Sequence, residues 1–127
     1  MSAYKKLNRQ DVFVSDDSLI NNITLGVDEG EANMPRIKEV VSLAELDDFG
    51  RSINGGYSGE LGERGSKMSG GQRQRLGIAR ALYYEPSILV FDEATSALDG
   101  ITEGKIMDSI SKLQKNHTII MVAHRVA

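Results

Sequence analysis

Two adjacent carboxylates end a run of four apolar residues in this sequence. Residues 88–91 read Ile-Leu-Val-Phe and are followed at once by Asp92 and Glu93. One carboxylate at such a position can hold a hydrated Mg²⁺, and its neighbour, which points the other way, can orient or deprotonate a water molecule. A solvated acidic turn after a strand is the alternative. The pair suggests magnesium-assisted phosphoryl chemistry but does not decide it.

A second candidate site is the sequence Ser69-Gly70-Gly71 at the start of a predicted helix. A serine hydroxyl, unpaired backbone N–H groups and the positive end of the helix dipole converge there, which is the composition of an anion site. An ordinary serine cap with two tolerated glycines explains the same residues equally well. His124 is either a phosphate contact or a structural histidine, and His117 indicates only a surface loop.

The elements that must position these residues follow from the spacing of apolar side chains. Residues 88–91 and 118–123 are uninterrupted apolar runs, typical of strands buried on both faces of a parallel sheet. A helix over 102–114, with Thr102 as its cap, separates them and predicts a right-handed βαβ unit. Ligands of such sheets bind outside the carboxyl ends of the strands, where the carboxylate pair and His124 lie.

Three further helices are predicted before the first of these strands. Ser18 caps a short helix, and Pro35 occupies a favoured position at the start of a longer amphipathic helix that we expect to end near Gly50. The third helix begins after Ser69 and extends to about Tyr84. These three helices precede the proposed phosphoryl-chemistry strand and form a separate helical segment.

Composition excludes several classes of protein. The chain has 127 residues, of which 40% are hydrophobic and 26% charged, so it is at most one domain of average globular character. Disordered, collagen-like and coiled-coil classes fit poorly. Cysteine is absent, which excludes a disulfide framework, a thiolate metal site and a cysteine nucleophile.

Charge and hydropathy limit the partners. The net charge of −3 argues against a nucleic-acid binder, apart from a local basic patch at Arg73, Arg75 and Arg80. No stretch approaches the roughly 20 apolar residues that span a bilayer, and residues 1–9 lack the apolar core of a signal peptide. We therefore expect this chain by itself to be soluble and intracellular.

Four motifs in a fixed order resemble those of the ATP-binding-cassette (ABC) ATPases. Residues 68–82, which begin Met-Ser-Gly-Gly-Gln, resemble the signature motif and its helix. Residues 88–92 look like the Walker B strand with its magnesium aspartate, and Glu93 matches the catalytic glutamate. Residues 96–99 (Ser-Ala-Leu-Asp) are similar to the D-loop, and residues 123–125 (Ala-His-Arg) to the switch-histidine loop.

Two upstream segments extend the resemblance. Gln10 stands where the Q-loop glutamine of the family stands, although the residues before it are more polar than usual. Residues 60–65 (Glu-Leu-Gly-Glu-Arg-Gly) resemble the loop that faces the transmembrane partner in exporter-type members. Met68 replaces the usual leucine, a volume-conserving change. The resemblance indicates the exporter branch of the family.

The resemblance implies an α/β fold: an incomplete P-loop NTPase (RecA-like) parallel sheet with a βαβ unit, plus the ABC helical subdomain. Residues of about 11–84 would form the helical subdomain with the signature helix. Residues of about 85–127 would form the βαβ part with the Walker B, D-loop and switch-histidine motifs. No Gly-x-x-x-x-Gly-Lys-Ser/Thr sequence occurs. We therefore expect the chain to be the distal part of a nucleotide-binding domain.

The family sandwiches ATP between two such domains, and the resemblance assigns phosphate contacts to residues of this chain. Ser69, Gly70 and Gly71, with Gln72, would contact the γ-phosphate of ATP bound by the partner domain. His124 would contact the γ-phosphate of the ATP bound by its own domain.

The same resemblance assigns the metal and the water. Asp92 would hold Mg²⁺, with Gln10 beside it as a second metal and nucleotide contact that links the site to the transmembrane domain. Glu93 would polarise the attacking water, which makes Glu93 and His124 the catalytic pair. Asp99 would cross the interface between the two domains.

The expected function is part of the ATP-binding and hydrolysing domain of an exporter-type ABC transporter, at the cytoplasmic face of the membrane. Its expected partners are ATP, Mg²⁺, a second nucleotide-binding domain and transmembrane domains, and no nucleic acid. Without a P-loop the chain alone is expected to be inactive or nearly so, and an uncovered sheet edge favours self-association.

Two alternatives stay open at this point. The chain could be a non-catalytic module that donates its signature surface to a partner ATPase. It could also be a fragment of a soluble ABC ATPase. Of the latter, the DNA-repair type needs a coiled coil that the roughly 60 residues between Gln10 and Ser69 do not accommodate. The sequence does not indicate a transported substrate.

Overall fold

The structure is a computed structural model, and it describes residues 4–8, 12–26, 30–84, 88–92, 98–112 and 118–122. In chain order its elements are β1 (Tyr4–Asn8), α1 (Leu19–Thr24), α2 (Met34–Leu43), α3 (Asp47–Ser52), a 3-10 helix (Gly56–Ser58), α4 (Glu63–Ser66), α5 (Gly70–Tyr83), β2 (Ile88–Asp92), α6 (Gly100–Ser111) and β3 (Thr118–Val122). Within these ranges no helix combines the length and the apolar character that crossing a membrane requires.

The strands of the described residues form one parallel sheet in the order β1-β2-β3. Strand β2 is central, and at its carboxyl end Asp92 lies opposite Asn8 of β1 and Val122 of β3. Helix α6 connects β2 to β3, which is the βαβ order that the sequence predicts. All three strands therefore end at the same edge of the sheet.

Strand β1 is a finding of the structure, because no pattern in the sequence predicts it. Its residues read Tyr-Lys-Lys-Leu-Asn and lack the apolar run that identifies a buried strand. The backbone of β1 pairs with β2 along its whole length. Main-chain pairing with a neighbour thus overrides a poor local pattern.

The helices pack around α5, which contacts α1, α2 and β1. The side chains that fill this core are aliphatic and almost completely removed from solvent. The largest of them are Leu19, Ile20, Ile23, Ile37, Val40, Leu46, Leu76, Ile78, Leu82 and Ile106. Burial of each such side chain contributes roughly 1.5–3 kcal/mol, so the core is the main source of stability of the helical part.

Two helix starts predicted from the sequence are confirmed. Ser18 caps α1 and accepts a hydrogen bond from the Asn21 amide, and Ser69 caps α5. Pro35 lies in the first turn of α2, as its fixed φ favours, but Asn33 is the residue that caps this helix.

The predicted end of the second helix near Gly50 is wrong, because α2 ends at Leu43. Glu45 adopts a left-handed backbone conformation with φ of 56°, which breaks the helix. A separate helix, α3, then begins at Asp47. Asp47 and Asp48 are therefore in the first turn of a helix, where the positive end of the dipole favours acidic side chains.

The start of α6 also differs from the prediction. The sequence suggested Thr102 as the cap, whereas the structure has Asp99 as the cap and Gly100 as the first helical residue. Thr102 instead donates to Asp99 from both its amide and its hydroxyl group. Helix α6 ends at Ser111, three residues before the predicted end.

The local basic patch predicted at Arg73, Arg75 and Arg80 is wrong. Arg80 is only 8% exposed, and Arg73 and Arg75 are half-buried. Their guanidinium groups donate to main-chain carbonyl groups inside the protein, such as that of Glu45, whose oxygen lies 2.6 Å from Nη1 of Arg75. These arginines stabilise the helical part and do not form a surface for polyanions.

Leu25 offers a test of the backbone of α1, because it ends this helix in the left-handed conformation with φ of 57° while its side chain is largely exposed. We expect Leu25→Gly to have a free energy of unfolding about 1 kcal/mol higher than Leu25→Ala, since glycine avoids the Cβ clash. Chemical denaturation measures the difference. At the exposed helical control position Lys38, glycine should instead be about 1 kcal/mol less stable than alanine. Equal stability of the two Leu25 variants would contradict the assignment.

Candidate functional site

The start of α5 is organised by a reciprocal pair of hydrogen bonds. The Ser69 Oγ atom accepts from the Gln72 amide at 3.0 Å, and the Gln72 Oε1 atom accepts from the Ser69 amide at 2.9 Å. This capping box fixes the side chains of both residues before any ligand binds. Gln72, which the sequence pattern assigned to the nucleotide, thus also has a structural role.

The capping box leaves a set of donors that points outward. The first amides of a helix, here those of Gly70 and Gly71, have no partner within the helix, and the Ser69 hydroxyl group keeps its proton available while its oxygen accepts. Ser69 and Gly70 are exposed, and the first turn of α5 contains no acidic residue. Donors without a nearby carboxylate, at the positive end of a helix dipole, favour an anion.

The residues before Ser69 anchor this donor set to the protein. Met68 is buried in the core, so the chain enters α5 at a fixed point. One turn into the helix, Nη2 of Arg73 donates to the Ser66 carbonyl oxygen at 3.3 Å. The helix start is therefore held by an apolar and a polar contact, while Ser69 and Gly70 are open to solvent.

Asp92 lies in a different part of the fold, as the last residue of the central strand β2. Glu93 follows it in the sequence, and Gln10 and His124 follow Asn8 and Val122 by two positions each. Glu93, Gln10 and His124 lie outside the described residues. What the structure adds is the register: the three strands that precede these predicted site residues are adjacent and end together.

Asp99 has both carboxylate oxygens engaged. Oδ1 accepts from the Thr102 amide at 2.8 Å, and Oδ2 accepts from the Thr102 hydroxyl group at 2.9 Å. The Thr102 amide, followed by its hydroxyl group, holds the pKa of the Asp99 carboxyl below its ordinary value. Asp99 thus keeps its negative charge at the start of α6, where the dipole favours it.

Two residues that matter to this geometry were not recognised from the sequence. Asn22 and Arg80 are buried polar side chains that link α1, α5 and residues 13–18 by hydrogen bonds. A signal was available for Arg80, because it lies four residues after the buried Leu76 and so on the same helical face.

The fold and the site define a class: an α/β protein in which a parallel sheet ending in an aspartate accompanies a helical segment with an exposed set of donors at a helix start. The sequence model of the ABC transporter family matches residues 4–96 of the chain. This match covers well over half of the chain, which therefore belongs to the ABC transporter family, whose domain binds ATP.

Individual relatives agree with this assignment. The heterocyst differentiation ATP-binding protein HepA of Nostoc sp. strain PCC 7120 is 45% identical over 118 residues, which are 93% of this chain and 19% of that protein. The alpha-hemolysin translocation ATP-binding protein HlyB of Escherichia coli O157:H7 is 48% identical over 110 residues, 87% of this chain and 15% of that protein. The ATP-dependent lipid A-core flippase of Ralstonia nicotianae is 40% identical over 119 residues, 93% of this chain and 20% of that protein.

A solved structure matches as well. A bacterial Atm1-family ABC exporter with ATP bound superposes with a TM-score of 0.82 and 38% sequence identity, over 97% of this chain and 21% of that chain. The fold is therefore that of an ABC ATPase domain of the P-loop NTPase type. The chain spans about a fifth of the length of the relatives it matches.

The Asp99 cap predicts a pH dependence of stability. Because hydrogen bonds lower the pKa of Asp99 in the folded state, its ionised form contributes stability above the ordinary value of 3.8 and loses it as the pH falls through the lower folded value. The variant Asp99→Asn keeps a capping oxygen but has no charge to lose. We expect the melting temperature of the native chain to exceed that of Asp99→Asn at neutral pH and the difference to vanish only below pH 3.8. A difference that disappears well above that pH would contradict the cap.

Proposed function

We propose that this chain is part of the ATP-binding and hydrolysing domain of an exporter-type ABC transporter, in which ATP hydrolysis drives export. The family assignment supports the ATPase domain. Support for the exporter branch comes from relatives named as export or translocation proteins and from the Atm1-family exporter structure. The identity of the exported substrate is not part of the proposal.

The observation that carries the proposal is the donor set at the start of α5. In the proposed complex the Ser69 hydroxyl group and the amides of Gly70 and Gly71 contact the γ-phosphate of ATP held by a second nucleotide-binding domain. The donors are exposed, which suits a ligand that arrives on another protein surface. Their geometry is already fixed by Gln72 through the capping box, so the donors need no rearrangement to donate hydrogen bonds to phosphate oxygens.

The proposed catalytic roles belong to the edge of the sheet where the strands end. Asp92 would hold Mg²⁺, with Gln10 as a further contact to metal and nucleotide, and the metal would neutralise charge on the phosphates. Glu93 would accept a proton from the attacking water, and His124 would contact the γ-phosphate. The register that makes Asn8, Asp92 and Val122 neighbours supports this grouping.

The chain supplies no P-loop lysine, since the sequence contains no Gly-x-x-x-x-Gly-Lys-Ser/Thr motif. Phosphoryl transfer depends on holding the β- and γ-phosphates in place. We therefore propose that the residues of this chain alone do not turn over ATP. Asp99, fixed by Thr102, is proposed to face the second nucleotide-binding domain.

The proposed organisation has a helical subdomain at about 11–84 and a Walker B, D-loop and switch-histidine part at about 85–127, with β1 added to the sheet of the latter. The sheet is proposed to be part of a larger RecA-like sheet. Within the described residues β1 and β3 are its outer strands, so each has an edge at which a further strand, or a second copy of the chain, can pair.

The proposed contact with transmembrane domains lies at residues 60–65 and Phe13. Glu60 pairs with Ser18 in an antiparallel bridge, and Val14 packs against Gly65, so these segments are neighbours. Phe13, which precedes Val14 in the chain, is 71% exposed. An exposed aromatic side chain beside this loop suits a protein partner, and the proposed location is the cytoplasmic face of the membrane.

The hydrolytic role can be tested in a chimera in which this chain replaces the matching segment of the bacterial Atm1-family exporter, the "exporter chimera". We expect MgATP hydrolysis by the chimera, and a fall in kcat of at least about 100-fold in Glu93→Gln, because the amide cannot accept the proton. Glu39→Gln, in a surface ion pair with Arg36, is the matched control and should keep its activity within about two-fold. Equal kcat for Glu93→Gln and the unmodified chimera would refute the role of Glu93.

The signature role can be tested on the 127-residue chain itself. We expect it to bind the complete ATP-binding domain of the Atm1-family exporter when that domain is loaded with ATP, but not with ADP. Ser69→Arg should weaken this association by roughly 30-fold or more, since it fills the donor face. Ser66→Arg places the same side chain on an exposed serine of α4 and serves as the control. Light scattering and titration calorimetry give the stoichiometry and the affinity. Loss of binding in both variants, or in neither, would argue against a phosphate contact at Ser69.

A further inference from the structure

Residues 12–18, which begin two positions after Gln10, are bound to the protein from three sides although they contain neither a helix nor a strand. We refer to them as the 12–18 segment. Their partners are α1 and α5 on one side, Gly65 of α4 on another, and residues 60–62 on the third. The contacts are polar as well as apolar, and each fixes a different part of the segment.

Asn22 of α1 binds the middle of the 12–18 segment. Its Nδ2 atom lies 3.2, 3.1 and 2.9 Å from the carbonyl oxygens of Ser15, Asp17 and Ser18, and its Oδ1 atom accepts from the Ser15 amide at 2.9 Å. Asn22 is 2% exposed. The two N–H groups of this buried amide lie within reach of three carbonyl oxygens, and its oxygen accepts from one N–H group, so it restricts the conformation of the segment.

Arg80, in the last turn of α5, binds the beginning of the same segment. Its Nη2 atom donates to the Phe13 carbonyl oxygen, and its Nε atom donates to the Asn22 carbonyl oxygen at 2.6 Å. Nη2 also lies 3.4 Å from Oδ1 of Asn22. One guanidinium group of α5 thus binds Asn22 and Phe13, which are 58 and 67 residues away from it in the sequence.

The partners of Arg80 in the described part of the chain are neutral oxygens. Burial lowers its pKa, and no carboxylate of the described residues acts in the opposite direction. A buried charge without a counterion is costly, and an apolar side chain would fill the same volume at less cost. The negative end of the α5 dipole offsets part of this cost. The benefit of the arginine is geometric. Its planar guanidinium group donates in fixed directions and so holds two main-chain carbonyl groups at fixed positions.

Two glycines bring the helices close to the segment. A Cβ atom on Gly77 of α5 would lie 2.9 Å from Cγ2 of Val12, and one on Gly65 of α4 would lie 3.2 Å from Cγ1 of Val14. The main chain of the segment also accepts from the following loop, since the amides of Leu61 and Gly62 lie 3.1 and 3.2 Å from the carbonyl oxygens of Asp17 and Asp16.

We propose that Arg80 is a positioning residue that, with Asn22, locks the 12–18 segment to α5, so that the segment, residues 60–62 and the Ser69 donor set move as one body. Arg80 and Ser69 are at opposite ends of one helix, roughly 16 Å apart along its axis. A displacement of the segment is therefore transmitted to Ser69 by a rigid helix. The inference rests on the proposed function, which gives Ser69 its contact with ATP.

The test uses the exporter chimera with three variants and one control. Arg80→Met keeps the length of the side chain and removes its donors. Arg80→Lys keeps the charge and can serve one of the two carbonyl groups. Gly77→Ala pushes on Val12 without a change of charge, and Gly104→Ala, where a Cβ atom meets nothing within 4 Å, is the matched glycine control in α6.

Hydrogen exchange followed by mass spectrometry and MgATP kinetics are the two measurements. In Arg80→Met we expect exchange of residues 12–18 to accelerate by about 10-fold while α2 and α3 keep their protection. We expect kcat to fall by about 10-fold with little change in KM, because the donors at Ser69 are misplaced while ATP still binds the other domain. Arg80→Lys should recover part of both values. Gly77→Ala should change both in the same direction, and Gly104→Ala should change neither.

Two results would overturn the inference. One is unchanged exchange of residues 12–18 in Arg80→Met and in Gly77→Ala. The other is a variant that melts at a lower temperature but keeps its kcat below that temperature, which would make Arg80 purely structural. Should Arg80→Met not fold, Gly77→Ala and Arg80→Lys decide on the same criteria. An inactive unmodified chimera would instead refute the proposed function, so the two failures are distinguishable.

Discussion

The helical part of this protein depends on satisfying main-chain carbonyl groups that are turned inward where the chain has no regular structure. Residues 13–18 run beside α1 and α5 outside any helix or regular strand. Main-chain amides serve the carbonyl groups of Asp16, Asp17 and Ser18, whereas those of Phe13 and Ser15 accept from side chains. Asn22 and Arg80 supply these donors, and both are buried for that reason. Removing Asn22 or Arg80 takes the side-chain donor away from the Ser15 or the Phe13 carbonyl group, a penalty of about 1–3 kcal/mol for each group left unpaired. Core packing around α5 and the course of the segment are thus parts of one arrangement.

Much of the fold could be predicted from the sequence because its signals are local. A serine before an apolar run identifies the start of α1 and of α5, and the apolar runs indicate β2 and β3. The predictions failed where the decisive partner is distant in sequence. Strand β1 exists because β2 pairs with it, and α2 ends early because Glu45 turns left-handed, with its carbonyl group held by Arg75. Neither partner is visible within a short window of residues.

The residues of the candidate site also differ in whether the sequence predicts their roles. The cap at Ser69 was predictable because its partner, Gln72, is three residues away, whereas the role of Asp99 as the cap of α6 was missed although Thr102 is equally near. The family resemblance places Asp99 at a domain interface and does not indicate its role as a cap. Arg80 was misassigned to a surface patch because charge alone was considered, without its position on the face of Leu76. The charge of a side chain indicates what it can bind. Its position on the buried or the exposed face of a helix indicates whether that partner lies inside the protein or in solvent.

The capping box at the start of α5 has a consequence for the energetics of assembly. Residues 69–72 order one another before a ligand arrives, so the entropy of arranging these donors is lost during folding and not during binding. The ordering cost of a complex then falls mainly on the nucleotide and on the surface that carries it. The surface formed by residues 69–72 is therefore rigid, and its partner has to adapt to it. The selectivity of binding then depends on how much the partner has to rearrange.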